Sequence, residues 1–299
     1  MGLTMNMIDA THTRWSTPGS QQNRLLELPS SLIGLADVLS NFLLVYGSAR
    51  SRGVTVPAFA ENDRNLRTAE KLLETAAARD ARCLTKRRSP DNCLFGTCRD
   101  FALLSASRLR ESGVAARVRV GFANYLRPGR WEDHWVCEHL VEGRWAVLDA
   151  SRGPGIRHAQ GITFDVTDMP YGCWRPAASV WRAIRAGEID PARCGISFAN
   201  LSGEWFVARS MLQDAAALCG VETLPWDNWG LALQVGASRH VTEQQAALLD
   251  AMAGEMKQSP PTRTFAEGLL ERFPWARPTP TVVSWPGPSD RREVMLAET

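Results

Sequence analysis

The chain has 299 residues, of which 44% are hydrophobic and 22% charged, and its formal net charge is +2. This length accommodates one large domain or two, and the composition is typical of a globular protein rather than a disordered or fibrous one. The sequence has no lysine-rich tail, repeat or low-complexity block. We therefore expect no nucleic-acid partner.

The N-terminal third shows no targeting or membrane signal. Residues 1–15 lack a basic region followed by an apolar stretch, so we expect no signal peptide. The apolar run Leu32–Tyr46 is interrupted by polar residues and is too short to span a bilayer, so it predicts a buried helix and no membrane partner. The seven cysteines are an odd number without a secretion signal, which favours reduced thiols and a cytoplasmic location.

The segment GTCRDFALL, residues 96–104, predicts the start of a buried helix. Thr97 suits the N-cap and Asp100 stands three positions on, as in a capping box, while apolar residues recur at helical spacing as far as Leu109. Cys98 is then the first helical residue, where free N–H groups and the helix dipole stabilise a thiolate and an oxyanion. Most lone cysteines are small buried hydrophobes, so this position alone leaves both interpretations open.

Three strands are predicted after this helix. The alternation in Val114–Phe122 indicates a half-buried strand, and two further strands are indicated at His134–Val141 and Arg144–Ala150. The last two are joined at Glu142-Gly143, a two-residue hairpin turn that fixes the pairing of the strands.

The hairpin register distinguishes the two histidines of the second strand. Val136 is placed opposite Asp149, so His134 shares a sheet face with Asp149 while His139 points to the other face. A turn one residue longer or shorter would reverse this choice. A carboxylate beside an imidazole fixes its tautomer, and the imidazole accepts the thiol proton. We therefore predict Cys98 as the nucleophile, His134 as the base and Asp149 as its orienting acid.

The motifs in residues 83–151 resemble those of the transglutaminase-like superfamily. They are G-x-C-x-D-F-A-x-L-L, a strand ending in ARVRVGF, H-W with an acidic residue four after the histidine, and G-x-W-x-x-L-D. The resemblance implies a papain-like core, in which a helix carrying Cys98 packs on an antiparallel sheet carrying His134 and Asp149. Members include cross-linking transamidases, peptidases, amidases and amide-forming acyl-transfer enzymes, so the resemblance indicates a chemistry rather than a substrate.

The predicted fold class is α+β, with helical additions on both sides of this core. We divide the chain into a helical N-terminal layer at 1–82, the catalytic core at 83–170 and a mainly helical extension at 171–299, with one continuous domain as the alternative. Ten of the eleven tryptophans lie from Trp131 onward. Periodicity predicts helices in the extension, and residues 274–288 are proline-rich and predicted to be extended. The helices are expected at 177–185, 204–218, 243–256 and 264–273.

Basic residues are in excess between positions 82 and 130. An anionic substrate or a carrier protein would be attracted to such a region, but arginines opposite apolar positions more simply form a solvated face, which is the interpretation we favour. The basic residues are Arg82, Lys86, Arg87, Arg88, Arg99, Arg108, Arg110, Arg117, Arg119, Arg127 and Arg130, against Asp91, Asp100 and Glu111.

Zinc binding competes for the same thiols and imidazoles. Cys93, Cys98, His134, Cys137 and His139 do not have the spacing of a zinc module, and His134 is predicted on the strand face opposite the last two. We expect neither a metal nor another cofactor.

Taken together, these features predict a cysteine-dependent acyl-transfer enzyme. Cys98 attacks a peptide, amide or thioester donor, free or carrier-bound, and the resulting thioester passes to an amine. With water as acceptor the protein would be a peptidase or amidase, and a non-catalytic interaction module is the remaining alternative. Trp131 and Trp135 flank the predicted base in sequence and are the candidates for substrate binding.

Overall fold

A computed structural model describes residues 9–51, 54–257, 262–287 and 289–298. Within them the chain forms two compact units, the first made of residues up to 118 together with 136–170, the second of residues 119–135 and 171 onward. The predicted absence of a signal peptide concerns residues 1–15, of which 1–8 lie outside the described residues. The predicted three-part domain division stays a prediction.

Among the described residues, the first unit contains six α-helices and several strands. Two of these strands, Ala116–Ala123 and Trp131–Val141, continue into the second unit. The helices are α1 (Gln22–Leu26), α2 (Leu32–Leu39), α3 (Tyr46–Ser51), α4 (Ala69–Arg79), α5 (Cys98–Glu111) and α6 (Pro154–Gln160). The strands are β1 (Leu43–Val45), β2 (Leu94–Gly96), β3 (Ala116–Ala123), β4 (Trp131–Val141) and β5 (Arg144–Leu148).

The predicted helix over Leu32–Tyr46 is correct only in its first half. Helix α2 ends at Leu39, and the chain then enters β1, which pairs in parallel with β2. The backbone N–H of Leu94 donates to the carbonyl oxygen of Phe42 at 2.7 Å just before this ladder begins. Pairing with a strand some fifty residues away therefore overrides the local helical pattern.

Helix α5 is buried on every side. All residues from Arg99 to Arg110 are buried, and the helix packs against α1 and α4. It ends where Gly113 adopts a φ of 74°, and Arg110 Nε donates to the carbonyl oxygen of Ala116 at 3.0 Å. The predicted start at Cys98 is confirmed.

The hairpin between β4 and β5 has the predicted turn. Glu142 and Gly143 have φ values of 48° and 78°, which is the left-handed pair that a two-residue hairpin turn requires. Val141 pairs with Arg144, and four further pairs follow as far as Cys137 with Leu148. The predicted register is therefore confirmed along the whole length of β5.

Strand β3 departs from the half-buried pattern that we predicted, because all eight of its residues are buried. Arg117 Nε donates to Glu138 at 2.8 Å within the first unit, and Arg119 Nε donates to Asp214 at 2.9 Å within the second. Arg99, Arg108 and Arg110 are buried as well. The predicted solvated basic face is thus wrong for these arginines, since acidic partners and carbonyl oxygens satisfy them inside the protein.

In the part that the structure describes, the second unit combines five α-helices with most of the larger sheet. The helices are α7 (Ala177–Arg185), α8 (Glu204–Leu218), α9 (Gly230–Ser238), α10 (Glu243–Glu255) and α11 (Arg263–Arg272). The additional strands are β6 (Trp174–Pro176), β7 (Cys194–Ile196), β8 (Leu201–Ser202), β9 (Asp227–Asn228), β10 (Thr281–Gly287) and β11 (Asp290–Met295). The four helices predicted in this part are confirmed to within a residue or so at their ends, and the α+β class is confirmed.

Strands in this unit belong to two sheets. The larger has the order β6-β3-β4-β7-β8, with β5 beside β4, and its β4–β7 pair is parallel whereas its other paired strands are antiparallel where their register is defined. The smaller has the order β11-β10-β9. Residues 281–287 therefore form a paired strand, whereas we predicted extended chain; Pro288 lies outside the described residues. None of the helices in the described residues combines the length and the hydrophobicity that a bilayer-spanning segment needs.

Candidate active site

Cys98 occupies the first position of α5, in the first unit, and is partly buried. Thr97 and Asp100 form a capping box ahead of it, and the backbone N–H of Thr97 donates to Asp100 Oδ2 at 2.8 Å. The helix continues for fourteen residues, so its dipole is fully developed at this end. A thiol in this position is set where a thiolate, and an oxyanion formed by its attack, are stabilised.

A buried ion pair lies beside the thiol in the first helical turn. Arg99 Nη1 donates to Asp100 Oδ1 at 3.1 Å, and Arg99 Nη2 donates to the carbonyl oxygen of Arg67 at 2.5 Å. Burial raises the pKa of Asp100, although Arg99 and the hydrogen bonds from Thr97 act in the opposite direction. The buried side chains of Arg99 and Asp100 therefore fix the first turn of the helix.

Asp149 directly follows β5, also in the first unit, and is 1% exposed. Its Oδ1 accepts hydrogen bonds from the backbone N–H and the hydroxyl of Ser151, at 3.0 and 2.6 Å. Arg152 Nε lies 3.3 Å from its Oδ2. These contacts fix the carboxylate in one orientation and favour its charged form, as an acid that orients an imidazole requires.

Sequence reasoning missed the contribution of Ser151 and Arg152. The Asp-x-Ser spacing is a signal for a turn in which the carboxylate accepts from the backbone two residues on, so this part of the arrangement was accessible from the sequence. The ion pair with Arg152 had no such signal.

His134 lies on β4 in the second unit and is 2% exposed. The ring of Tyr125 meets the imidazole edge to face, with the two centroids 6.2 Å apart and the planes at 89°. Trp174 Nε1 donates to the backbone carbonyl of His134 at 2.9 Å. Both the ring and the main chain of the predicted base are therefore held by aromatic residues of its own unit, neither of which the sequence indicated.

His139 has a different role from the one predicted for His134. It is paired with Ala146 in the hairpin, and its Nε2 lies 3.0 Å from the carbonyl oxygen of Thr167. A buried imidazole that bonds a backbone carbonyl is a structural group. The predicted pairing of His139 with Ala146 is confirmed, and the placement of His134 on the opposite strand face stays a prediction.

Trp131 and Trp135 alternate with His134 along β4. Alternation directs their side chains to the face of the strand opposite the imidazole. Trp135 is 1% exposed, whereas Trp131 is half-buried and carries the guanidinium of Arg175 at 5.1 Å from its ring centroid. Their role in substrate binding stays a prediction.

Four of the remaining cysteines are poor nucleophiles because burial raises the pKa of their thiols. Burial raises the pKa of Cys93 to about 11 and the pKa of Cys194 and Cys219 to about 12, and it also raises the pKa of Cys173. A thiol with such a pKa is almost entirely protonated at neutral pH. Among the described residues, no three histidine, cysteine or acidic side chains are grouped as metal ligands.

Comparison with known proteins supports the resemblance seen in the motifs. Residues 49–150 match the model of the transglutaminase-like superfamily, and this range includes Cys98, His134 and Asp149. A crystal structure of a candidate cysteine protease from Cytophaga hutchinsonii is similar with 21% identity and a TM-score of 0.31. That similarity covers 49% of this chain and 42% of the other, so the chain spans less than half of that protein. No curated protein matches the chain at a significant level.

Proposed function

Residues 49–150 carry the core of the transglutaminase-like superfamily, and on that premise we propose that the protein is a cysteine-dependent acyl-transfer enzyme. The observation that carries the proposal is the place of Cys98 at the first position of a capped, fully buried helix. A thiol there is activated by the helix itself, before any base acts on it.

The proposed reaction has two halves. In the first, the thiol of Cys98 passes its proton to His134 and attacks the carbonyl carbon of the donor. The tetrahedral intermediate collapses to a thioester, and the leaving group departs with the proton held by His134. In the second, an amine attacks the thioester, His134 accepts its proton and returns it to the sulfur, and the amide product is released.

Asp149 is proposed as the group that orients His134. Its support is its burial together with the bonds from Ser151 and Arg152, which fix the orientation of the carboxylate. Cys98, His134 and Asp149 thus form the proposed catalytic set, and Trp131 and Trp135 are proposed to shape the substrate site. A reducing compartment such as the cytoplasm belongs to the proposal, because catalysis needs the Cys98 thiol reduced.

Transfer and hydrolysis differ only in the acceptor. An amine gives transamidation or amide formation, and water makes the protein a peptidase or amidase. The proposed donor is a peptide, amide or thioester, free or carrier-bound. Both acceptors share the thioester on Cys98, so one experiment on that intermediate tests the chemistry and then the acceptor.

The test is to trap the acyl-enzyme. Wild-type protein and Cys98→Ala would be incubated with a panel of peptide amides and acyl thioesters, acid-quenched and measured by intact mass. We expect an adduct of defined mass on wild type that is absent from Cys98→Ala. In a parallel reaction that is not quenched, a primary amine should release the acyl group as its amide if transfer is correct, and the free acid should form if hydrolysis is. An adduct that persists in Cys98→Ala would contradict the proposal.

A further inference from the structure

The two most exposed large hydrophobic side chains of the described residues are Tyr171, at 103%, and Phe198, at 80%. Both belong to the second unit. Most other large apolar side chains in that unit are packed into its core around α8. A contiguous patch of exposed aromatic groups is characteristic of a surface that binds another molecule, whereas isolated exposed aromatic groups are ordinary.

Both aromatic residues are attached to one loop, which connects β3 to β4. At one point of the loop, Asn124 donates from its backbone to the carbonyl oxygen of Cys173 and from its side chain to that of Gly172, each at 3.0 Å, next to Tyr171. Further along the same loop, Arg127 Nη1 donates to Ser197 Oγ at 2.6 Å, next to Phe198.

The two attachment points are close to each other. Positions 124 and 127 are three residues apart, so the chain allows at most about 11 Å between them. We call Tyr171, Phe198 and the loop residues 124–127 the aromatic rim.

The rim also contacts the proposed catalytic base. Tyr125, in the middle of the loop, is the residue whose ring meets His134 at 6.2 Å between centroids. The loop therefore connects two exposed aromatic groups to the imidazole through a single side chain. A ligand held on the rim lies next to a residue that touches the base.

Two arginines, one in the rim and one beside it, give this surface a positive charge. Arg127 is exposed and bonds a neutral hydroxyl, while Arg175, just after the Tyr171 turn, lies over the ring of Trp131. In the described parts of the chain, no carboxylate forms an ion pair with either guanidinium. The neighbouring Glu132 pairs with Arg130 at 3.3 Å and accepts a hydrogen bond from the backbone N–H of Ser197 at 3.0 Å. Cations beside aromatic groups favour an anionic ligand with apolar side chains.

We propose that the aromatic rim binds an extended acidic peptide segment with aromatic or aliphatic side chains, and that this segment carries the acyl group to the site. The proposal rests on the proposed function and deepens it by naming the donor class. Tyr171 and Phe198 supply apolar contacts to alternate side chains of the segment, and Arg127 and Arg175 bind its carboxylates.

The test measures binding without turnover. A fluorescein-labelled hexapeptide of alternating glutamate and phenylalanine would be titrated by fluorescence anisotropy with full-length protein carrying Cys98→Ala. We expect Tyr171→Ala and Phe198→Ala each to raise the Kd at least fivefold, and Arg127→Gln to raise it at least threefold. A lysine–phenylalanine hexapeptide should bind at least tenfold more weakly, and raising the salt should weaken only the glutamate peptide.

Matched controls lie elsewhere on the second unit. Leu248 is an exposed apolar residue on α10, and Arg291 is an exposed arginine on β11, so Leu248→Ala and Arg291→Gln should leave the Kd within twofold of the parent. Because Tyr171 and Phe198 are exposed, their variants should keep the parent's melting temperature. If one of them does not, the Kd of Arg127→Gln tests the rim independently.

Several results would overturn the proposal. These are equal Kd values for rim and control variants, equal affinity for the two hexapeptides, or no binding of either. Concentration-dependent dimerisation abolished by Phe198→Ala would instead assign the rim to contact with a second copy of the chain. An anisotropy experiment that shows no rim binding would leave a thioester adduct on Cys98 standing, and a failed acyl-enzyme experiment would leave the anisotropy result standing, so the two failures are distinguishable.

Discussion

Thr97 and Asp100 bind each other reciprocally at the start of α5. The backbone N–H of Thr97 donates to the Asp100 carboxylate at 2.8 Å, and the Thr97 side chain accepts from the backbone of Asp100. Cys98 lies between them, so the capping box fixes the backbone of the proposed nucleophile. The contacts that start the helix are the same ones that place the thiol at the positive end of its dipole.

Removing the acidic half of this box should destabilise the protein. Asp100→Ala is expected to lower the free energy of unfolding by about 2 to 3 kcal/mol, because a cap is lost and buried Arg99 loses its carboxylate. Asp100→Asn keeps an acceptor and should cost about 1 kcal/mol. Urea denaturation measures both changes. Thr242→Ala at the start of α10 is the control, because it removes a helix cap that has no ion pair beside it. A stability of Asp100→Ala equal to wild type would disprove the role of the box.

Alkylation should single out Cys98. Iodoacetamide at neutral pH is expected to label it at least tenfold faster than Cys93, Cys194 and Cys219, because burial raises the pKa of those three thiols to about 11 or 12. Peptide mass mapping over time gives each rate. Cys83, which is partly exposed, is an internal standard for an ordinary accessible thiol. Labelling of Cys83 as fast as Cys98 would favour a non-catalytic interaction module.

Two substitutions in the hairpin turn should change the free energy of unfolding in opposite directions. Gly143 has a φ of 78° with open space around its Cα. Gly143→Ala should therefore lower the free energy of unfolding by about 1 to 2 kcal/mol from backbone strain alone. Glu142 has a φ of 48°, which asparagine tolerates better, so Glu142→Asn should gain about 0.5 kcal/mol. Thermal unfolding of the two variants beside wild type measures both shifts. Shifts in the same direction would rule out a left-handed turn at both positions.

The parts of this fold that the sequence predicted are those set by neighbouring residues. The capping box at Cys98 and the hairpin at Glu142-Gly143 depend on residues within a few positions, and both are confirmed. The register of the hairpin followed from the length of its turn. The predictable parts of the candidate site are therefore those that depend on residues close together in the sequence.

What the sequence did not predict depends on distant partners. Arg119 was assigned to a solvated face because its carboxylate partner, Asp214, is 95 positions away on a helix whose buried acid gave no signal of its own. The parallel pairs β1–β2 and β4–β7 likewise join distant segments. The contact of Tyr125 with His134 depends on how the loop folds back, which no local pattern encodes.

Breaking the buried pair between Arg119 and Asp214 should be strongly destabilising. Asp214→Leu alone is expected to cost about 3 to 5 kcal/mol, because it leaves a buried guanidinium without its carboxylate. The double variant Arg119→Met with Asp214→Leu removes both charges and should cost less than the single one. Urea denaturation of Asp214→Leu, Arg119→Met and the double variant completes the double-mutant cycle.

The exposed pair Arg144 and Asp168 is the matched control for this cycle. Their side chains are 56% and 43% exposed, so water screens the pair and breaking it should cost far less than breaking the buried pair. Equal costs for the buried and exposed pairs would contradict the picture of β3 as a strand buried on both faces.

Asp133 should make the stability of the protein depend on pH near neutrality. Burial raises its pKa to about 7, with Glu132 adding to the shift and Arg209 opposing it. The folded protein therefore holds a proton on Asp133 that the unfolded chain releases near its ordinary value of 3.8. Because the folded state binds more protons in that interval, this carboxyl lowers stability progressively as pH rises from about 4 to about 7.

Asp133→Asn removes this dependence. The free energy of unfolding of the variant, minus that of wild type, should grow by on the order of 2 to 4 kcal/mol between about pH 4 and pH 7 and then level off. Urea denaturation at half-unit steps of pH measures it. Asp168 has its pKa lowered by Arg144, so the difference for Asp168→Asn should stay flat over that interval and change only at more acidic pH. A flat profile for Asp133→Asn would show that Asp133 is ionised at low pH in the folded protein.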